Sequence, residues 1–147
     1  GWFSELREHR PVDPLIAAGQ RVANELLADQ RDHVVLHGDI HHGNVLDGGE
    51  RGWLAIDPKG LWGERTFDYV NIFRNPTMEL ACEPGRFARR LELICTEARL
   101  EQTRLLRWIL AFCSLSAVWT LDDPAQYVLD MAIARLAADA LDLAIGR

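Results

Sequence analysis

Apolar residues near the start of the chain recur with a helical period: Leu15, Ile16, Val22, Ala23, Leu26 and Leu27 fall on one face of a 3.6-residue repeat. Asp13 stands at the N-cap position and Pro14 at the first helical position, so the spacing predicts an amphipathic helix from Asp13 to about Asp32. The pattern then changes. Val34-Val35-Leu36, Asn44-Val45-Leu46-Asp47 and Trp53-Leu54-Ala55-Ile56-Asp57 are short apolar runs that read as strands. Asp47-Gly48-Gly49 turns the second toward the third as a hairpin. After Phe67 the helical period returns. Asp68 to Arg74 predicts one short helix ending near Asn75-Pro76, where proline disfavours continuation. Arg86 to Leu100 predicts a helix with Phe87, Leu91, Ile94 and Cys95 on its apolar side. Thr103 to about Leu121 is longer and more apolar, and is expected to be central. Pro124 opens a last helix to Leu143 or beyond, with Val128, Met131, Leu136, Ala140 and Leu143 inward. The sum is mainly α with a small β insert (α+β). No repeat, low-complexity tract or long linker divides residues 1–147, which are expected to form a single domain.

Composition narrows the function classes. A chain of 147 residues suits one compact domain, and 48% hydrophobic with 26% charged residues is a globular profile. A net charge of −6 argues against a general nucleic-acid binder without opposing a nucleotide, whose charge metal ions and a few local cations offset. No apolar run approaches the roughly 20 residues of a membrane span, and the first residues lack the basic and apolar pattern of a signal peptide. Cys82, Cys95 and Cys113 are odd in number and widely spaced, which favours reduced thiols over a disulfide framework or zinc ribbon. A cytoplasmic location is expected.

The chemistry concentrates in Val35-Leu36-His37-Gly38-Asp39-Ile40-His41-His42-Gly43-Asn44-Val45-Leu46 and in Leu54-Ala55-Ile56-Asp57-Pro58. Asp39 follows a strand and a glycine, so its carboxylate can project from a tight loop. Asn44 supplies a neutral oxygen where the chain re-enters a strand, and Asp57 an anionic one where the hairpin's second strand ends. Two hard oxygen donors beside a third carboxylate suit Mg²⁺, which leaves positions for phosphate oxygens. Taken singly, Asp39 also reads as a loop cap, Asn44 as a turn residue and Asp57 as a strand-ending cap. His37, His41 and His42 cluster, yet no cysteine partner or H-E-x-x-H helix accompanies them. His41 and His42 therefore read as loop scaffold and solvent-facing residues. Lys59 and Arg65, just after the second motif, read as solvated charges or as contacts to phosphate or substrate.

The order H-G-D-x-x-x-x-N, followed by Asp57, resembles the catalytic and metal loops of protein-kinase-like phosphotransferases. With His42-Gly43-Asn44-Val45-Leu46 behind it, the pattern is similar to the aminoglycoside phosphotransferase and choline kinase superfamily, and most similar to its streptomycin and hydroxyurea phosphotransferases. The similarity runs on through Ala55-Ile56-Asp57-Pro58-Lys59-Gly60, Phe67-Asp68-Tyr69-Val70-Asn71-Ile72 and Leu115-Ser116-Ala117-Val118-Trp119-Thr120-Leu121-Asp122-Asp123. The resemblance implies a helical C-terminal lobe with catalytic loop 37–44 and metal loop 54–60. It implies ATP as co-substrate, Mg²⁺, and a small hydroxylated acceptor, an aminoglycoside such as streptomycin. Asp39 would be the catalytic base, Asn44 and Asp57 the metal ligands, and His37 and Asp68 structural supports of the loop. Trp119, Asp122 and Asp123 would lie near the acceptor; packing for Trp119 and helix capping for the two aspartates are the alternatives.

A kinase-like fold also needs an N-terminal lobe, with a glycine-rich hairpin over the phosphates and a strand lysine. Trp2 to Arg10 is too short to build one, and no such motif occurs. The sequence is thus expected to hold the C-terminal lobe only, as a fragment, as a remnant, or completed by a partner chain. The isolated chain is expected to be inactive and to self-associate through its uncovered cleft face. A non-catalytic binding module and a sister kinase of the choline or homoserine type are the alternative functions.

Overall fold

The computed structural model describes residues 13–143. The Trp2–Arg10 stretch, on which the expectation about an N-terminal lobe rests, and any helix beyond Leu143 lie outside the described residues. The elements are α1 (Pro14–Ala28), β1 (His33–Leu36), β2 (Val45–Asp47), β3 (Trp53–Ala55), β4 (Leu61–Glu64), a 3-10 segment (Arg65–Arg74), α2 (Met78–Ala81), α3 (Pro84–Ala98), α4 (Gln102–Trp119) and α5 (Pro124–Ala140). The class is mainly α with two small antiparallel sheets, β1 with β4 and β2 with β3. Among the described residues no helix is long and apolar enough to cross a membrane. Cys82 and Cys95 are half-buried, Cys113 is buried, and none is in a disulfide.

Helix starts follow local chemistry. Asp13 accepts the Leu15 N–H at 2.7 Å, Glu83 accepts those of Gly85 and Arg86, and Asp123 accepts that of Gln126; each cap is followed by proline. Helix α4 is the axis of the fold. From Arg104 to Val118 every residue but Arg107 is buried, and the helix packs chiefly against α5 and α1, then against the 3-10 segment. Its Leu105, Ile109, Leu110 and Leu115 are fully enclosed, each contributing on the order of 1.5–3 kcal/mol by burial. At the α1–α4 crossing, a Cβ on Gly19 would fall 2.0 Å from Ser114 Oγ, so glycine sets how closely the two helices approach.

Several boundaries differ from expectation, each for a tertiary reason. Helix α1 stops at Ala28 rather than near Asp32: the Asp29 carbonyl accepts from the Arg104 guanidinium, and His33 already pairs with Glu64 in the β1–β4 ladder. The third strand ends at Ala55, and Asp57 lies beyond it with a left-handed backbone. Asp68–Arg74 is a short helix ending before Asn75-Pro76, as the sequence predicts, but it is 3-10 and starts earlier, at Arg65; α2 and β4 are additional elements. Helix α5 ends at Ala140, and its inward stripe is Asp130, Ile133, Ala134, Ala137 and Ala138, with Met131 and Leu136 half-buried; Val128, Ala140 and Leu143 face solvent. A buried charge at Asp130 disguises that stripe. Arg65 turns away from the loops to donate to the Ala98 carbonyl at the C-terminal end of α3, which a cation favours.

One buried polar cluster ties the sheets to α4. Arg104 grips Glu64 with two donors, Nε to Oε1 at 2.8 Å and Nη2 to Oε2 at 2.6 Å, while Trp108 Nε1 and the Arg31 N–H donate to the same carboxylate. Burial alone would push the Glu64 carboxyl up; the bonds from Arg104, Trp108 and Arg31 outweigh it and hold the pKa below the ordinary glutamate range. We expect Glu64→Gln to cost about 3 kcal/mol at neutral pH in urea unfolding, because among the described residues Arg104 then keeps only the solvent-exposed Asp29 as counter-charge. A depressed carboxylate stabilises above its unfolded pKa and loses that contribution as pH falls through the lower native value. The gap between wild type and Glu64→Gln should therefore narrow below the ordinary glutamate range; a gap that held or widened in acid would show that Glu64 is not the responsible charge.

Candidate active site

Strand β1 delivers the chain into the loop His37-Gly38-Asp39. Gly38 has φ +83°, and a Cβ there would lie 2.9 Å from Leu61 Cδ1 and 3.2 Å from Lys59 Cβ, so this turn requires glycine. The backbone N–H groups of His37 and Gly38 both donate to Asp68, at 2.9 Å to Oδ2 and 2.6 Å to Oδ1. The His37 ring bridges the two loops: Nε2 faces the Ile56 carbonyl at 2.7 Å and Nδ1 faces the Asp39 N–H at 3.3 Å. A carbonyl only accepts and an N–H only donates, so the neutral Nε2–H tautomer satisfies both, and no lone pair is left for a metal. The Lys59 N–H closes the bridge on the His37 carbonyl at 2.7 Å.

Asp39 is thereby held at the loop's apex with its side chain 30% exposed, open to a ligand. Its Oδ1 accepts from Asn71 Nδ2 at 2.8 Å, and its Oδ2 lies 3.7 Å from Lys59 Nζ. His41 Nδ1 accepts the Gly43 N–H, which starts the 3-10 turn His42–Asn44 and leaves Nε2 3.9 Å from Asp39 Oδ1. His42 is exposed. Asn44 donates Nδ2 to the Asp39 carbonyl at 3.0 Å, so its Oδ1 is the atom available to ligate a cation. Asp57 has φ +55°, an uncommon conformation for a residue with a side chain and one that clusters at functional sites. Its carboxylate meets Lys59 Nζ at 3.1 Å; Asp57 first, and Asp39 second, raise the Lys59 pKa.

These donors fit Mg²⁺. Among the described residues no three His, Cys, Asp or Glu side chains converge as a closed metal cage. Asn44 and Asp57 instead offer two hard oxygens, the sparse protein set that Mg²⁺ takes when water and phosphate complete its shell. The Lys59 ammonium already lies between the carboxylates of Asp57 and Asp39, so the space between them accommodates a cation.

Beside Asp39 opens a polar cavity of about 290 Å³, lined by Asp39, His41, Asn71, Arg74, Asn75, Pro76, Gln126 and Leu129. Trp119, Asp122 and Asp123 are not in its lining. Trp119 ends α4 partly exposed, Asp122 is exposed in the turn, and Asp123 caps α5. The structure thus brings together His37, Asp39, Asn44, Asp57 and Asp68, and adds Asn71, Arg74 and Gln126. A signal for two of these lies in the sequence: Asp68, Asn71 and Arg74 recur every third residue, the repeat of a 3-10 helix rather than an α-helix. Gln126 carries no such signal.

Residues 3–124 match the family described as aminoglycoside/hydroxyurea antibiotic resistance kinase. The chain is 45% identical over 150 residues to a streptomycin 3''-kinase of Klebsiella pneumoniae, an alignment covering 96% of this chain and 56% of that protein. It is 32% identical to a hydroxyurea phosphotransferase of Kitasatospora aureofaciens, over 67% of this chain and 27% of that protein. It is 31% identical to a streptomycin 6-kinase of Streptomyces griseus, over 76% of this chain and 39% of that protein. No solved structure matches the chain. The chain thus spans about half, or less, of the length of the curated relatives it matches. With a family match over most of its residues, and the paired loops around Asp39 and Asp57 inside that match, this chain belongs to the aminoglycoside/hydroxyurea antibiotic resistance kinases.

Proposed function

We propose that this chain is the helical C-terminal lobe, one domain over residues 1–147, of a cytoplasmic ATP- and Mg²⁺-dependent phosphotransferase. Its acceptor is a hydroxyl of a small molecule, an aminoglycoside such as streptomycin. The observation that carries this reading is Asp39: a partly exposed carboxylate held by Asn71, on a backbone whose carbonyl accepts from Asn44, facing a polar cavity on one side and the Asp57 carboxylate across Lys59 on the other. The names of the relatives support the acceptor class.

In this reading Asp39 accepts the acceptor hydroxyl's proton and aims its oxygen at the transferring phosphoryl group. Asn44 and Asp57 hold Mg²⁺, which neutralises phosphate charge when bound. Lys59 is placed to add positive charge beside both carboxylates. His37 and Asp68 keep the loops in register, and positioning of this kind supplies much of the rate in phosphoryl transfer. The cavity's amides suit hydroxyl groups. Trp119, Asp122 and Asp123 are proposed as outer acceptor contacts, supported by Gln126 and Leu129, which follow them in α5 and line the cavity. A carboxylate there would pair with a guanidinium or ammonium group. The exposed Val35, Trp53 and Trp62 support self-association of the chain on its own. Alone it is expected to turn over little substrate, because it spans 56% of the Klebsiella relative.

In a full-length protein carrying this sequence, Asp39→Ala should lower kcat by roughly 10²–10⁴-fold with the melting temperature little changed; retained turnover with streptomycin and other hydroxylated acceptors would rule out Asp39 as the base. Calorimetric titration of the same protein with a non-hydrolysable ATP analogue checks the metal assignment. Asp57→Ala should abolish the Mg²⁺-dependent part of the binding, and an unchanged Mg²⁺ dependence would remove Asp57 from the ligand set.

A further inference from the structure

Asp130 is a carboxylate fully enclosed in the interior face of α5, where an isolated charge is costly. Burial pushes its pKa up, with Arg74 acting in the opposite sense. Arg74 Nε lies 2.6 Å from Asp130 Oδ1, too far off-axis to count as a hydrogen bond, and Nη2 donates to Oδ2 at 3.4 Å. The same guanidinium sits over the Phe112 ring, 5.2 Å from its centre. From there Arg74 Nη1 donates to Asn71 Oδ1 at 3.3 Å. That contact decides which way round the Asn71 amide stands. Its oxygen faces the guanidinium, so its Nδ2 faces Asp39 Oδ1, at 2.8 Å. Replacing a buried ion pair by apolar residues is often neutral or stabilising, so stability alone gives little reason to bury one here.

We propose that Asp130, Arg74 and Asn71 form a positioning chain that sets the orientation of the Asp39 carboxylate from helix α5, a role that rests on the phosphotransferase reading of Asp39. Arg74 is the joint of this chain. Its planar fork reaches Asp130 and Asn71 together, which a lysine ammonium on a flexible stem does not do. With Oδ1 of Asp39 engaged by Asn71, Oδ2 is the oxygen that faces Lys59. The same residues wall the cavity, since Asn71 and Arg74 line it beside Asp39. A hydroxyl bound there meets a carboxylate whose rotation is already restricted. Misplacement of a reacting group by about 1 Å costs as much as 10²-fold in rate.

The test uses full-length protein carrying this sequence, uniformly labelled with ¹⁵N. Arg74→Lys keeps the charge opposite Asp130 and is chosen to preserve the fold. It should shift the Asn71 side-chain NH₂ resonances, as Asp39→Asn should from the other end of the chain. In kinetics, Arg74→Lys and Asn71→Ala should each lower kcat about tenfold or more while leaving KM for the nucleotide unchanged. Asn71 signals that stay in place in Arg74→Lys, or an unchanged kcat in both variants while Asp39→Asn abolishes transfer, would overturn the positioning chain and leave the phosphotransferase reading intact. A fall in kcat that merely tracks loss of folded protein would mark a structural role and also overturn it. If Asp39→Asn kept full turnover, the reading of Asp39 as the base would fail, and the Asn71 resonances would still decide whether Arg74 holds the amide.

Discussion

The loop that presents Asp39 begins where the β1–β4 ladder ends, at the pair Leu36 and Leu61, and the next two backbone N–H groups have no strand to bond. The carboxylate of Asp68 takes both. Backbone donors inside a protein must find partners, and here one side chain satisfies two in succession, which fixes the direction in which Gly38 and Asp39 leave the strand. The second loop is then registered against the first by backbone and ring contacts, from Lys59 to His37, from His37 to Ile56 and from Ile56 to Asn44. Removing the Asp68 carboxylate would leave each of these contacts without a fixed base.

Asp68 can do this because of the segment it belongs to. In a 3-10 helix side chains eclipse every third residue, and the segment Arg65–Arg74 is written in that period. Phe67, Val70 and Phe73 are buried, Phe67 against Trp108 and Phe112 edge to face and Phe73 against Phe87. Asp68, Asn71 and Arg74 alternate with them: Asp68 takes the loop backbone, Asn71 the Asp39 carboxylate, and Arg74 the carboxylate of Asp130. The segment is therefore a strip with one apolar row for the core and one polar row for the site. Buried ion pairs stand at its two ends, Glu64 with Arg104 just before it and Arg74 with Asp130 at its close. Replacing such a pair whole by apolar residues is often neutral, whereas removing one partner leaves an uncompensated buried charge.

What the sequence determined by itself is what short-range chemistry controls. Asp13-Pro14 starts α1 and Pro124 opens α5; the apolar period marks α1, α3 and α4, though α3 begins at Pro84, before the Arg86 where that period starts; short apolar runs around Asp47-Gly48-Gly49 mark the β2–β3 hairpin; and the spacing of His37, Asp39, Asn44 and Asp57 points to a chemistry through residue types close along the chain. Tertiary structure decided everything that depends on a partner far along the chain. Strand β4 contains Gly63 and Glu64 and has no strand signature, yet Gly63 lets Leu36 pack closely and Arg104 makes burying Glu64 tolerable. The inward face of α5 is hidden in the sequence because Asp130 has the character of a solvent residue until Arg74 is placed opposite it. Glycine inside an isolated helix is unfavourable, and only Ser114 packed against Gly19 gives the reason for it. Local propensity is set within a turn or two of backbone. Whether a charge or a glycine is tolerated in the interior depends on a group dozens of residues away, and only the folded chain brings the two together.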